Sequence, residues 1–256
     1  MQKIKLFCWL PLLLGLAACT SVKHSPAMKT GQTAQKLSIE RKQVLATDYL
    51  LFLPQDYDAS SSKRWPLILF LHGAGERGTN IWLVATHGPP KIDTLETNFP
   101  FIVVSPQCAN GKMWADDLLI ELLDEVESKY AVDTNRVYLT GISMGGFGTW
   151  NLGLSHPERF AAMAPVCGGG ETILLTLAQL YDPEQLARIR ALGVWAFHGG
   201  KDTTVLPGES AHMVEALKRI GCTDVKLTIY PEAGHDSWNQ AYADPDLFKW
   251  FLQHSR

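Results

Sequence analysis

Gly141-Ile142-Ser143-Met144-Gly145 sets one hydroxyl between two glycines, directly after the apolar run ending at Thr140 and ahead of a stretch with helical character. A strand turning sharply into a helix at this point would hold Ser143 Oγ out over the sheet edge, and only small flanking residues would let strand and helix approach. A serine hydroxyl is a weak nucleophile without an adjacent base. His235, in "YPEAGHDSW", offers an imidazole after the last apolar run, where a side chain able to take and return a proton near neutrality is useful. Asp202, in "FHGGKDTTV", follows the preceding run, and its carboxylate would fix the imidazole tautomer and stabilise the imidazolium. Asp236 is the rival acid, but it adjoins the histidine and is badly placed to reach round to Nδ1. Acyl transfer also needs donors aimed at a developing oxyanion. The backbone N–H of Met144 is the expected first donor, and that of Ala74 in "LHGAGERG" the second, with Gly75 as the alternative.

These residues need a scaffold that brings strand ends together. Seven short, nearly continuous apolar runs supply it: "DYLLFLP", "PLILFLHG", "FIVVSPQ", "RVYLTG", "FAAMAPVCG", "GVWAFHG" and "VKLTIYP". Continuous rather than alternating runs suit parallel strands covered on both faces. Helical periodicity lies between them. Asp116 to Tyr130 puts Leu119, Leu122, Leu123, Val126 and Tyr130 on one face. A second helix carries Met213, Val214, Leu217 and Ile220 and stops at Gly221. A third starts with Asp244 as N-cap and Pro245 at the first helical position, and is expected to bury Leu247, Phe248, Phe251 and Leu252. Alternating strand and helix predicts an α/β fold: a mainly parallel central sheet with helices on both faces, in one domain over residues 37–256. Loops at the carboxyl ends of such strands gather at one edge, where ligands bind. Each candidate residue follows a strand.

The order Ser143, Asp202, His235 is that of the α/β-hydrolases. "LHGAGERG", "VVSPQC", "VDTNRVYLTGISMGGFGTW", "HPERFAAMAPVCGGG", "WAFHGGKDTTV" and "GHDSW" resemble the serine esterases of that superfamily related to feruloyl esterases and polyhydroxybutyrate depolymerases. The resemblance covers nearly the whole of 37–256. It implies an α/β-hydrolase fold with an eight-stranded-type sheet, hydrolysis of carboxylic esters and no cofactor. Many relatives carry a long lid insertion; here only "ETILLTLAQLYDPEQLARIRAL" fills that gap, one or two helices, so no large lid and a fairly open site are expected. Trp114 and Trp238 are placed to wall the cleft for an aryl acid or a sugar ring, and Gln107 is expected to point into it. Glu76 and Arg77 are expected to form a local ion pair holding their loop. Cys167, with no histidine of its own, is expected to be structural. Two rivals remain: a serine peptidase related to prolyl oligopeptidases, and a degenerate hydrolase kept as a surface binding protein.

The first residues do not read as part of this domain. "MQKIK" and the apolar run "LFCWLPLLLGLAA" have the form of a signal peptide over 1–18, too short for a comfortable membrane span. "LAAC" resembles the lipobox of bacterial lipoproteins, which implies cleavage before Cys19, lipidation of that cysteine and membrane attachment through it. Thr20 fits sorting to the outer membrane, in the cell envelope. Residues 19–36 read as a flexible tether. Cys108, Cys167 and Cys222 then remain, so at most one disulfide forms. No cysteine or histidine cluster suggests a metal. A formal net charge of −3 without a basic cluster argues against nucleic acid as a partner. The expected partner is an ester, small or borne on a polysaccharide.

Overall fold

The computed structural model describes residues 34, 36–40, 44–92 and 99–256, with Val44–Arg256 forming one compact unit. The signal peptide, Cys19 and most of the expected tether lie outside the described residues. Each of the seven apolar runs becomes a strand: β1 (Tyr49–Phe52), β2 (Trp65–Leu71), β3 (Ile102–Pro106), β4 (Val132–Ile142), β5 (Ala162–Val166), β6 (Gly193–Gly199) and β7 (Val225–Tyr230). They form one sheet in the order β1-β3-β2-β4-β5-β6-β7. Every pairing is parallel except that of β1 with β3 at one edge. The sheet therefore has seven strands among the described residues, where the resemblance implied an eight-stranded type.

Among the described residues, eight α-helices connect or flank the strands: α1 (Pro89–Ile92), α2 (Asp116–Lys129), α3 (Met144–Ser155), α4 (Ile173–Tyr181), α5 (Pro183–Ala191), α6 (Gly208–Arg219), α7 (Trp238–Ala243) and α8 (Pro245–Leu252). Strand β2 shows why the sheet must be covered on both faces. All seven of its residues are buried; Leu67, Leu69 and Leu71 join one apolar cluster, while Ile68 and Phe70 join the other. This is the two-residue period of a strand with apolar side chains in both directions. The first cluster is completed by Leu119, Leu123 and Val126 of α2, Trp150 of α3 and Met213 of α6. The second is completed by Tyr242 of α7 and Leu247, Trp250 and Phe251 of α8. Each such aliphatic or aromatic side chain, fully buried, is worth about 1.5–3 kcal/mol.

Local signals fix most helix ends. Asp244 accepts from Asp246 N–H at 2.9 Å to cap α8, with Pro245 at its first turn. Gly221 has φ +96° just beyond α6, the left-handed stop expected of it. The buried face of α8 differs from expectation. It uses Leu247, Trp250 and Phe251, whereas Phe248 is half-buried and Leu252 is 40% exposed. Positions 247, 250 and 251 lie on one stripe of a 3.6-residue helix, and position 252, about 200° round from 250, falls off it. The interval between β5 and β6 holds two short helices, α4 and α5, and no large lid.

Candidate active site

Sheet order puts the ends of β4, β6 and β7 on one half of the carboxyl edge, and Ser143, Asp202 and His235 follow those ends. Ser143 sits between β4 and α3 with φ 52° and ψ −115°, a conformation that costs a non-glycine residue of order 1–3 kcal/mol. The surrounding structure holds it there. Its N–H donates to Val166 O of β5 at 3.0 Å, and its carbonyl accepts from Phe147 N–H at 3.0 Å. Its side chain caps nothing in α3, so Oγ is free to face outward. The flanking glycines are steric necessities. A Cβ on Gly145 would lie 1.9 Å from Leu71 O, and one on Gly141 would lie 2.4 Å from Gly145 O.

Ser143 Oγ lies 2.8 Å from His235 Nε2, and His235 Nδ1 lies 2.7 Å from Asp202 Oδ2. The residues are 92 and 33 positions apart along the chain. Asp202 is 2% exposed. Its Oδ1 accepts from the Thr204 and Val205 N–H groups at 2.9 and 3.0 Å. Burial alone would raise this carboxyl, but the His235 hydrogen bond, helped by the Val205 and Thr204 amides, outweighs it and holds the group below the ordinary aspartate value. Asp236 has a different partner, accepting from Asn239 Nδ2 at 3.4 Å. His235 itself remains 23% exposed at the side chain, so a substrate carbonyl can approach.

Met144 is the first residue of α3, where main-chain N–H groups have no acceptor within the helix. Ala74 opens a single 3-10 turn, Ala74–Glu76, after β2. Below that turn, His72 Nδ1 donates to Gly73 O at 2.6 Å, and its Nε2 accepts from Cys108 N–H at 2.9 Å. Burial lowers the His72 pKa in spite of the Gly73 carbonyl and nearby Glu76, consistent with the neutral ring those two bonds require.

Three expectations about the cleft meet different contacts. Gln107 does not offer its amide donors to a ligand; Nε2 donates to Glu76 O at 2.7 Å and Asn80 O at 2.8 Å, tying down the loop that carries Ala74. Asn80 O also accepts from Leu83 N–H at 3.1 Å, so the amide joins a carbonyl already used by the loop's own turn. The Glu76–Arg77 ion pair is replaced by separate contacts. Arg77 donates to Ala74 O and Lys112 O, while the Glu76 carboxylate lies 3.9 Å from both His72 Nδ1 and His87 Nε2. Trp114 is half-buried, its ring edge-on to His72 and its Nε1 donating to His72 O at 3.3 Å. Trp238 stands edge-on to His235, with ring centroids 5.5 Å apart, and also meets His87. It is the tryptophan in contact with the triad.

The three cysteines of the described domain are free and buried. Cys167 has φ 42°, and burial pushes its thiol up to about 12, as expected of a structural residue. Two further side chains escaped the sequence reading, one beside the acid and one behind it. His198 Nε2 is 3.3 Å from Asp202 Oδ2, and Ser210 Oγ is 2.7 Å from His198 Nδ1. The clue was a repeated pattern: "LHG" and "FHG" each end a strand with a histidine followed by glycine.

Comparison with known proteins shows the family and the fold to which the chain is similar. The family described as "Putative esterase" matches residues 46–218, and the prolyl oligopeptidase family matches residues 181–256. A bifunctional acetylxylan esterase/xylanase of Neocallimastix patriciarum is 28% identical over 64% of this chain and 22% of its own length. "Probable feruloyl esterase C" of Aspergillus niger is 27% identical over 89% of this chain and 81% of its own. The solved structure of a thermostable esterase has 30% identity and a TM-score of 0.66, covering 81% of this chain and 59% of the other. The chain thus spans less than two thirds of two of these relatives.

Proposed function

Because the chain belongs to the esterase family, on the α/β-hydrolase fold, we propose that it is a serine carboxylesterase working through Ser143, His235 and Asp202. The observation that carries this reading is the unbroken line from Ser143 Oγ through His235 to Asp202, with contacts of 2.8 and 2.7 Å. In the first half-reaction Ser143 Oγ attacks the ester carbonyl carbon and His235 Nε2 takes its proton. The oxyanion rests on the Met144 and Ala74 amides. The tetrahedral adduct collapses, the carbon–oxygen bond to the alcohol breaks, and His235 returns the proton to the leaving oxygen. Water then attacks the acyl-enzyme with His235 again as base, releasing the acid and restoring Ser143. Asp202 holds Nδ1 protonated throughout.

The acids in question are small or aromatic acyl groups, such as acetyl or feruloyl, on polysaccharide-borne alcohols. Support comes from the acetylxylan and feruloyl names of two relatives and from Trp238 beside His235. Attachment to the cell envelope through lipid on Cys19, on the outer membrane, is the reading that "LAAC" and Thr20 support. Among the described residues no helix is long and apolar enough to cross a membrane. A peptidase reading has one observation in its favour: the prolyl oligopeptidase match spans Asp202 and His235.

The test is a panel of p-nitrophenyl esters, methyl ferulate, acetylated xylan and peptide anilides, with Ser143→Ala as control and a fluorophosphonate label on Ser143. Ester turnover lost in the control supports the reading. Faster anilide than ester cleavage would replace it with a peptidase, and an unlabelled Ser143 would end it. Radiolabelled palmitate retained by the wild type and absent from Cys19→Ala is the expected result for the anchor; label on neither removes it.

A further inference from the structure

His198 closes β6 four residues before Asp202 and is wholly buried, as is Ser210 in the first turn of α6. Its Nδ1 lies 2.7 Å from Ser210 Oγ, and that hydroxyl lies 2.9 Å from Gly168 O. Its Nε2 lies 2.9 Å from Val205 O and 3.3 Å from Asp202 Oδ2. Both ends of this chain of contacts are carbonyl oxygens, which only accept. Three links therefore need three hydrogens: Gly168 O to Ser210 Oγ, Ser210 Oγ to His198 Nδ1, and His198 Nε2 to Val205 O. The serine hydroxyl brings one and a neutral imidazole brings one. The third is present only when both ring nitrogens carry hydrogen. His72 makes the contrast. Its Nε2 accepts from Cys108 N–H and its Nδ1 donates to Gly73 O, so a single ring hydrogen completes both bonds.

A buried cation requires a counter-charge. The nearest carboxylate oxygen is Asp202 Oδ2, which also receives His235 Nδ1. We propose that His198 is a positioning residue of the triad, an imidazolium that shares Asp202 Oδ2 with His235 and braces the acid-bearing turn against the nucleophile elbow. The brace runs through Ser210 to Gly168, and Gly168 lies directly on the first turn of α3: a Cβ there would be 2.5 Å from Gly146 C. The inference rests on the esterase reading, and it adds a charge effect. The cation offsets part of the Asp202 charge, so the active form of the enzyme persists to lower pH than a lone Asp–His pair would allow. The other titratable groups facing this centre are Cys167 after β5, Glu209 in the first turn of α6, Asp236 beside His235 and Lys201 in the acid's own turn. Lys201 is the cation among them, and its ammonium pairs with Glu232.

The experiment compares kcat and KM against pH on p-nitrophenyl acetate for the wild-type full chain, His198→Asn, Ser210→Ala and Ser210→Thr. Nitrogen-15 spectra of histidine-labelled wild-type protein accompany it. Ser210→Ala leaves the imidazole in place but removes the acceptor for its Nδ1 hydrogen; Ser210→Thr keeps that acceptor. Expected are both ring nitrogens of His198 protonated at neutral pH, and a roughly tenfold fall in kcat with KM unchanged in His198→Asn and Ser210→Ala. The acid limb of their profiles should rise by about one pH unit, the effect of a unit charge about 6 Å away in a partly solvated site. Ser210→Thr should return both values to those of the wild type. A neutral His198 in the wild-type spectrum overturns the proposal, as does an acid limb that stays in place in folded variants. If His198→Asn does not fold, Ser210→Ala and the spectrum decide. Failure of the esterase reading has another signature: the wild type would show no Ser143-dependent turnover, while the spectrum would still report on His198.

Discussion

Gly145→Ala adds one methyl group to the turn that carries the nucleophile. That Cβ would stand 1.9 Å from Leu71 O, 2.5 Å from Leu71 C and 2.7 Å from His72 O. Ordinary van der Waals contact begins near 3.4 Å, so the shortfall against Leu71 O is 1.5 Å. All three atoms are main chain of β2 and the residue after it, and no side chain can rotate out of the way. Relief requires the start of α3 to retreat from β2, taking Ser143 and the Met144 N–H with it. Part of the movement can be spread through α3, leaving a displacement of about 1 Å at Ser143 Oγ. Misplacement on that scale costs about 10²-fold in rate when reacting groups are otherwise aligned, and overpacking of this kind costs about 1–3 kcal/mol of stability. The assay is kcat/KM on p-nitrophenyl acetate together with thermal unfolding. Gly208→Ala is the control, since a Cβ there meets nothing within 4 Å and its φ is not in the left-handed region. It should retain wild-type activity and unfold at the same or a slightly higher temperature. A Gly145→Ala enzyme with wild-type kcat/KM would refute the claim that the elbow is fixed by backbone contact with β2.

Asp202→Asn should keep the fold and reduce kcat by about 10⁴-fold, because the amide stabilises the wrong imidazole tautomer; steady-state kinetics beside an unchanged circular dichroism spectrum test this. Gln107→Ala takes the amide donor from Glu76 O and one of two donors from Asn80 O, which keeps Leu83 N–H, so it should cost about 1–3 kcal/mol in urea unfolding. It should also lower kcat through the loosened Ala74 loop. The Asp202 carboxyl is held below its ordinary 3.8 in the folded protein, so its contribution to stability is complete above that pH and is lost as pH falls through the folded value. Unfolding midpoints should drop as pH falls below about 3.8, more steeply in the wild type than in Asp202→Asn. Cys167 and Cys222 are buried, with thiols pushed up to about 12 and about 11, so a thiol reagent at pH 8 should label neither until denaturant is added. Prompt labelling of Cys167 in the native protein would contradict its burial.

By itself the sequence determined the strands, the sharp turn at Ser143 and the ends of the main helices. These depend on short-range facts: runs of apolar residues, glycines where a Cβ cannot fit, and Asp-Pro or glycine at a helix end. It also marked the three side chains that the fold joins, since residues following parallel strands must arrive at one edge. Tertiary structure decided which groups pair there. Asp202 rather than Asp236 meets His235 because the two turns are brought side by side by β6 and β7. Glu76 faces two histidines and not its neighbour Arg77, and Gln107 turns to two loop carbonyls and not to the cleft. Each of these outcomes depends on which main-chain and ring groups happen to need a partner once the chain has closed. That competition is between residues tens of positions apart, so no local pattern records it.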